Sequence, residues 1–223
     1  MYAKCGSLVE AREVFDVLPV RNVVTWTALI GGYSQNNQGD QALHYFEQMR
    51  HAGVAPNAVT YACTLKACGS LKRIKLGEEL HREVEQEGIL QSNQYVGNAL
   101  VDMYAKCGML AKARSVFAKL ASRNRVSWNA LIAGHVEQER GEEALSCFEQ
   151  MQQQGIPPDV ITYTCVLKAC ASIGAIDEGM KVHDDLKKGR NARGGKGNRS
   201  KDHERACESL SYCLLMTSWF LPS

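Results

Sequence analysis

The chain has little net charge and no long apolar run, and these absences exclude several classes of protein. Its 223 residues carry 26 Lys and Arg against 24 Asp and Glu, a formal net charge of +2. Residues 1–180 hold 17 basic and 19 acidic residues, which excludes a basic polyelectrolyte binder of nucleic acid over that part. The apolar stretch 212–221 is much shorter than the roughly 20 residues of a membrane-spanning helix, and we expect no signal peptide. We therefore expect no membrane partner.

Motifs for metal, phosphate and disulfide chemistry are also missing. The nine cysteines include no C-x-x-C pair, and the pairs Cys63/Cys68 and Cys165/Cys170 are spaced five apart. On a helix that spacing does not bring both thiolates onto one face for zinc. The pairs Cys5/Cys107, Cys63/Cys165 and Cys68/Cys170 sit inside apolar helical patterns, so these cysteines are predicted to be small buried hydrophobes in a reducing compartment. The segment 194–197 lacks the Ser or Thr of a phosphate-binding loop, and no strand precedes it. We expect no cofactor, no small-molecule substrate and no enzymatic activity.

What the chain does contain is a repeat of itself at a spacing of 102 residues. The hexapeptide that begins at Met1 returns at Met103, and Trp26-Thr-Ala-Leu-Ile returns as Trp128-Asn-Ala-Leu-Ile. Phe-Glu-Gln-Met occurs at 46–49 and 148–151, and Leu-Lys-Ala-Cys at 65–68 and 167–170. Repetition of this kind predicts a stacked array in which each unit buries its apolar face against its neighbours.

Three shorter units lie inside the long period. In residues 23–57, Trp26, Leu29, Ile30 and Tyr33 follow the spacing of an amphipathic helix, and so do residues 42, 43, 46 and 49. Gly39 separates the two helices, so the unit is a helix–turn–helix hairpin. Units of 35, 36 and 31 residues together make the period of 102. The predicted fold is an all-α, right-handed superhelical solenoid with one concave face.

The lengths and motifs resemble the pentatricopeptide-repeat family, in its plant subclass of alternating P, L and S motifs. Residues 97–108 resemble the S motif, residues 126–132 with 143–151 the P motif, and residues 166–179 the L motif. A tetratricopeptide array, with 34-residue units, does not fit these lengths. The resemblance implies an array fragment that lacks a C-terminal extension or deaminase domain. It divides the chain into a partial S repeat (1–22), P (23–57), L (58–93), S (94–124), P (125–159), a partial L (160–186) and a disordered or non-homologous tail (187–223).

The resemblance implies binding of single-stranded organellar RNA, with one nucleotide per motif. In this family the fifth and last residues of a motif read the base, which is consistent with helical-repeat RNA readers. The implied pairs are Thr27 with Asn57 for adenine, Asn98 with Asn124 for cytosine or another pyrimidine, and Asn129 with Asp159 for uracil. Second-position residues hold each base, here Val24, Val59, Tyr95 and Val126. Read from the 5′ end, the partial target is A-x-(C/U)-U.

Other interpretations remain open at this point. The last residues of the motifs precede helices, where Asn and Asp are favoured caps, so capping explains them in part or alongside base readout. Trp26 and Trp128 fall on the apolar stripe and are predicted to be core residues. A protein-interaction scaffold and a non-functional fragment are the alternative functions. His81-Arg-Glu83 matches a deaminase H-x-E motif by letter, but without the C-x-x-C pair. The family implies a mitochondrial or chloroplast RNA editing or processing factor with partner proteins.

Overall fold

The computed structural model describes residues 7–192, with side chains to residue 184, and this part of the chain is all helical. The fold prediction of an all-α architecture is therefore confirmed for these residues. The helices are α1 (Leu8–Asp16), α2 (Val23–Gln35), α3 (Gly39–His51), α4 (Ala58–Ser70), α5 (Ile74–Gln86), α6 (Ile89–Ser92), α7 (Gln94–Lys106), α8 (Leu110–Lys119), α9 (Arg125–Glu137), α10 (Gly141–Gln153), α11 (Val160–Ile173) and α12 (Ile176–Ala192). They divide into two compact units, the first ending at Arg123 and the second beginning at Asn124.

Capping side chains set where the first helix of each hairpin begins. Asn22, Asn57, Asn93, Asn124 and Asp159 lie immediately before α2, α4, α7, α9 and α11, and each side chain accepts hydrogen bonds from backbone N–H groups of the first turn. These N–H groups have no partner within the helix, so the caps fix the helix starts. The second helices α3, α5, α8 and α10 begin without a side-chain cap.

The first unit is held together by apolar side chains that follow the predicted helical stripes. Trp26, Leu29, Ile30 and Tyr33 of α2 are buried, as are Ala42, Leu43, Phe46 and Met49 of α3. The close packing of α4 on α7 depends on Gly69, because a Cβ atom there would lie 3.1 Å from Met103 Cα.

The second unit repeats this construction. Trp128, Leu131 and Ile132 of α9 are buried, and so are Ala144, Phe148 and Met151 of α10. The prediction that Trp26 and Trp128 are core residues is confirmed, since their exposures are 3% and 2%.

Two sequence expectations need correction. The unit 58–93 contains a short additional helix, α6, which follows the left-handed residue Gly88 and which the periodicity did not predict. A disordered or non-homologous tail was expected from Lys187 onward, but the backbone of residues 187–192 continues α12. Lys and Arg in that stretch favour a helix C-terminus electrostatically. The rest of the tail, 193–223, and residues 1–6 lie outside the described residues.

Candidate nucleic-acid interface

The second residue of every first helix exposes an apolar side chain. The exposed fractions are 67% for Val24, 57% for Val59 and 79% for Tyr95 in the first unit, and 60% for Val126 and 61% for Ile161 in the second. These side chains are solvent-exposed although a residue one or two positions further along each helix is buried. A base has two apolar faces, and side chains of this kind offer surfaces against which it can stack or pack.

In the first unit, Thr27 and Asn57 both form hydrogen bonds with a third residue, Thr60. Thr27 Oγ1 lies 2.7 Å from Thr60 Oγ1 and donates to the carbonyl of Val23 at 2.6 Å. Asn57 Oδ1 accepts from the Thr60 N–H at 2.9 Å and lies 3.0 Å from the Thr60 hydroxyl. Asn57 N donates back to Thr60 Oγ1 at 3.3 Å, which completes a capping box. The two residues predicted to read one base therefore belong to one hydrogen-bond network.

The second unit builds the same network from Asn129, Asp159 and Thr162. Asn129 Nδ2 donates to Asp159 Oδ1 at 3.0 Å, and Thr162 Oγ1 donates to Asn129 Oδ1 at 2.6 Å. Thr162 N donates to Asp159 Oδ1 at 3.0 Å, and Asp159 N to Thr162 Oγ1 at 3.1 Å. Arg125 Nη1 is 3.7 Å from Asp159 Oδ2. Capping and pairing thus coexist in Asp159.

Hydrogen bonding keeps Asp159 ionised. Burial raises the pKa of this carboxyl, but hydrogen bonds from Thr162 and Asn129 and the charge of Arg125 lower it by more, so the pKa lies below the ordinary value of 3.8. The site therefore presents a negatively charged hydrogen-bond acceptor at neutral pH.

The third predicted pair is divided between the units. Asn98 lies in the first unit, where it is buried, and its Oδ1 has no hydrogen-bond partner among the described residues. Asn124 lies in the second unit and forms a capping box with Ser127. A buried amide oxygen without a partner costs free energy.

Hydroxyl residues at the third position of three of the first helices were not predicted from the sequence. Thr60, Ser127 and Thr162 are fully buried, and each forms a capping box with the last residue of the preceding repeat. The available signal was an Asn or Asp followed three residues later by Thr or Ser. Ile161 was also missed, although it occupies the same register as Val126.

The residues set aside as deaminase or metal ligands have structural partners. His81 Nδ1 lies 2.9 Å from the hydroxyl of Tyr104, while Glu83 pairs with Arg50 at 3.2 Å and accepts from Tyr61. Within the described residues, no group of three His, Cys, Asp or Glu side chains is placed to hold a metal ion. Nor does any helix described there have the length and apolar character to cross a membrane.

Five of the described cysteines that are free thiols differ in burial. Cys68 and Cys170 are buried as predicted, whereas Cys63, Cys107 and Cys165 are half-buried. Burial raises the pKa of the Cys68 thiol to about 12, so it is protonated at neutral pH. Cys5 lies outside the described residues.

Family models match most of the repeat-containing part of the chain. The model described as PPR repeat family matches residues 21–70 and 123–172, and the model described as PPR repeat matches 98–124 and 161–190. The chain belongs to the pentatricopeptide-repeat (PPR) family. A mitochondrial PPR-containing protein of Arabidopsis thaliana is 45% identical over 183 residues, which is 82% of this chain and 29% of that protein. A second mitochondrial relative from this plant is 40% identical over 84% of this chain and 30% of its own length.

Solved PPR structures have the same fold. PPR10 in complex with an 18-nt psaJ RNA element matches 81% of this chain and 28% of its own, with a TM-score of 0.69 and 18% identity. PPR10 from maize matches 97% of this chain and 30% of its own, with a TM-score of 0.66 and 21% identity. The chain therefore spans less than a third of the length of these relatives.

Proposed function

We propose that this PPR chain binds single-stranded RNA sequence-specifically, with one nucleotide for each base-reading unit. The observation that carries the proposal is the convergence of Thr27 with Asn57, and of Asn129 with Asp159, on one buried hydroxyl in each unit. Each pair adjoins an exposed apolar residue of the next first helix, Val59 or Ile161. Polar atoms for a base edge and an apolar surface for a base face are the two elements that RNA readers of single strands combine.

The chemistry of Asp159 favours uracil in the unit 125–159. Uracil carries an N3–H donor, and the Asp159 carboxylate is an acceptor held ionised by its surroundings. Cytosine has an acceptor at N3, so its lone pair would face the carboxylate. An unpaired or repelled polar group in a partly buried site carries a substantial penalty, which gives the discrimination its physical basis.

The other units extend the proposed target to A-x-(C/U)-U. In the unit 23–57, the hydroxyl of Thr27 donates to Val23, and Asn57 uses its oxygen for capping, so that the amide nitrogen of Asn57 supplies a donor to adenine. Asn98 with Asn124 is assigned a pyrimidine, and the unit 58–93 carries Ala62 in place of a polar reader. These assignments, and the alternation of P, L and S motifs, are part of the proposal.

We place the chain in an RNA editing or processing factor of a mitochondrion, without chemistry of its own. Two relatives with 40–45% identity carry the word mitochondrial in their names, which supports that organelle over the chloroplast. The residues 81–83 that resemble a deaminase motif are occupied by contacts to tyrosines. Any cleavage or deamination is therefore assigned to other domains or partner proteins.

In-vitro selection from random single-stranded RNA, using the full 223-residue chain, tests the proposal. Enrichment of A-x-(C/U)-U is expected. Binding without base preference would leave an RNA-binding protein whose assigned readers are wrong. Failure of a folded, monomeric sample to bind any RNA would contradict the proposal and favour a protein-interaction scaffold.

A further inference from the structure

One hydroxyl group recurs at the same place in both units. Thr60 contacts Thr27 and Asn57 at 2.7 and 3.0 Å, and Thr162 contacts Asn129 and Asp159 at 2.6 and 3.0 Å. Each threonine is the third residue of the first helix that follows the base-reading unit. The residue that holds a reading pair therefore belongs to the next repeat along the chain.

Thr60 and Thr162 are both fully buried, at 0% exposure. They are thus inaccessible to RNA and act on a base only through the residues they bond. We infer that the third-residue hydroxyl of the following repeat is a specificity-positioning group, which orients the side chains that read the base. This inference rests on the proposed RNA-binding function.

Two hydrogen bonds define the orientation of the Asn129 side-chain amide. Its Oδ1 accepts the Thr162 hydroxyl and its Nδ2 donates to Asp159, so the two ends of the amide are distinguished. Without the hydroxyl, Oδ1 loses its donor, and the bond from Nδ2 to Asp159 is the remaining one of these two restraints on the amide. An Asn129 side chain that is less firmly oriented distinguishes a base donor from a base acceptor less well.

The repeat 58–93 is not followed by such a hydroxyl group. Its last residue, Asn93, caps α7 through the N–H groups of Tyr95 and Val96. The third residue of α7 is Val96, which is fully buried and has no hydroxyl, and the fifth residue of the unit is Ala62. The absence of the hydroxyl coincides with the absence of a polar reader, and both are explained if this unit reads no base.

Thr162→Val removes the hydroxyl at nearly constant side-chain volume, whereas the control variant Thr162→Ser keeps the hydroxyl. Affinities of the full chain are measured for single-stranded RNAs that carry A-x-C-U with the final base varied through all four nucleotides. We expect the preference for U over C to fall about tenfold in T162V and to be recovered in T162S, which corresponds to the loss of one hydrogen bond. The preference for A at the first position should be unchanged in both.

The matched variant Thr60→Val should show the reverse pattern, with preference lost at the first position and retained at the last. A purely structural role would lower the affinity for all RNAs by one factor and leave these preferences intact. Unchanged preferences, or a uniform loss, would overturn the inference.

A second measurement does not depend on RNA. Exchange of the Asn129 side-chain amide protons with water, followed by nuclear magnetic resonance, should be about tenfold faster in T162V than in the parent and normal in T162S. If the parent has no base preference at any position, the proposed function fails, and the exchange rates still show whether the Thr162 hydroxyl orders the Asn129 amide. Equal rates in the parent and T162V would overturn it.

Discussion

At the scale of single residues, the Asp159 carboxylate has a structural task and, under the proposed function, a recognition task as well. Its Oδ1 caps α11 and binds Asn129, while Oδ2 lies beside Arg125. Asn at an N-cap is as favourable as Asp, so capping alone does not require a charge. The charge is instead explained by the base that the unit is proposed to read.

The depressed pKa of Asp159 predicts a particular pH dependence. A carboxyl with a folded pKa below 3.8 contributes stability that is fully present above about pH 3.8 and is lost as the pH falls through the lower folded value. The difference in free energy of unfolding between the parent and Asp159→Asn should therefore be constant at neutral and mildly acidic pH and should shrink only below about pH 3.8. Chemical denaturation at a series of pH values checks this. A difference that already shrinks near pH 6 would show that the pKa is not depressed.

Truncation of an exposed apolar residue is expected to lower RNA affinity while leaving the free energy of unfolding nearly unchanged. Val59→Ala removes atoms that face solvent, so the free energy of unfolding should change by less than about 0.5 kcal/mol. RNA affinity should fall several-fold, because the surface against which a base packs is lost. Leu65→Ala, at a fully buried position of the same helix, is the control and should cost about 2–5 kcal/mol of stability. Unchanged RNA affinity in V59A would exclude this residue from the interface.

At the scale of helices, much of the fold follows from the sequence because the apolar spacing and the caps agree. The stripe from Trp26 to Tyr33 is buried as its periodicity indicates. The short helix α6 was not predictable from the spacing of apolar residues, since its four residues span barely one helical turn. The networks around Thr60 and Thr162 were not predictable either, because they join residues about 30 positions apart whose contact depends on how hairpins stack.

Substitution of glycine by alanine is expected to change stability in opposite directions at two positions near α12. Gly174, in the turn between α11 and α12, has φ +68° and no neighbour within 4 Å of an added Cβ, so Gly174→Ala should destabilise by about 1 kcal/mol through backbone strain alone. Gly179 is helical, and its Cβ would make an ordinary 3.6 Å contact with Cys170. Gly179→Ala should therefore stabilise by up to about 1 kcal/mol. Thermal or urea unfolding distinguishes the two, and equal signs would contradict this account.

At the scale of the whole molecule, the repeat of 102 residues places matching sites in two separate units with different side chains. Thr27 corresponds to Asn129, and Asn57 corresponds to Asp159, while their bridging threonines are identical. A constant framework with variable reading positions is what sequence recognition by repeats requires. Because residues 1–180 have a net charge of −2, phosphate attraction contributes little there, and the proposed RNA affinity depends on such contacts.

The most direct test of this account is in-vitro selection from random single-stranded RNA on Asp159→Asn, compared with the parent chain. Asn retains the cap on α11 but replaces an ionised acceptor with an amide. The account predicts that the last enriched base changes from U to C, while A at the first position remains. Enrichment of the same last base by both proteins would contradict it.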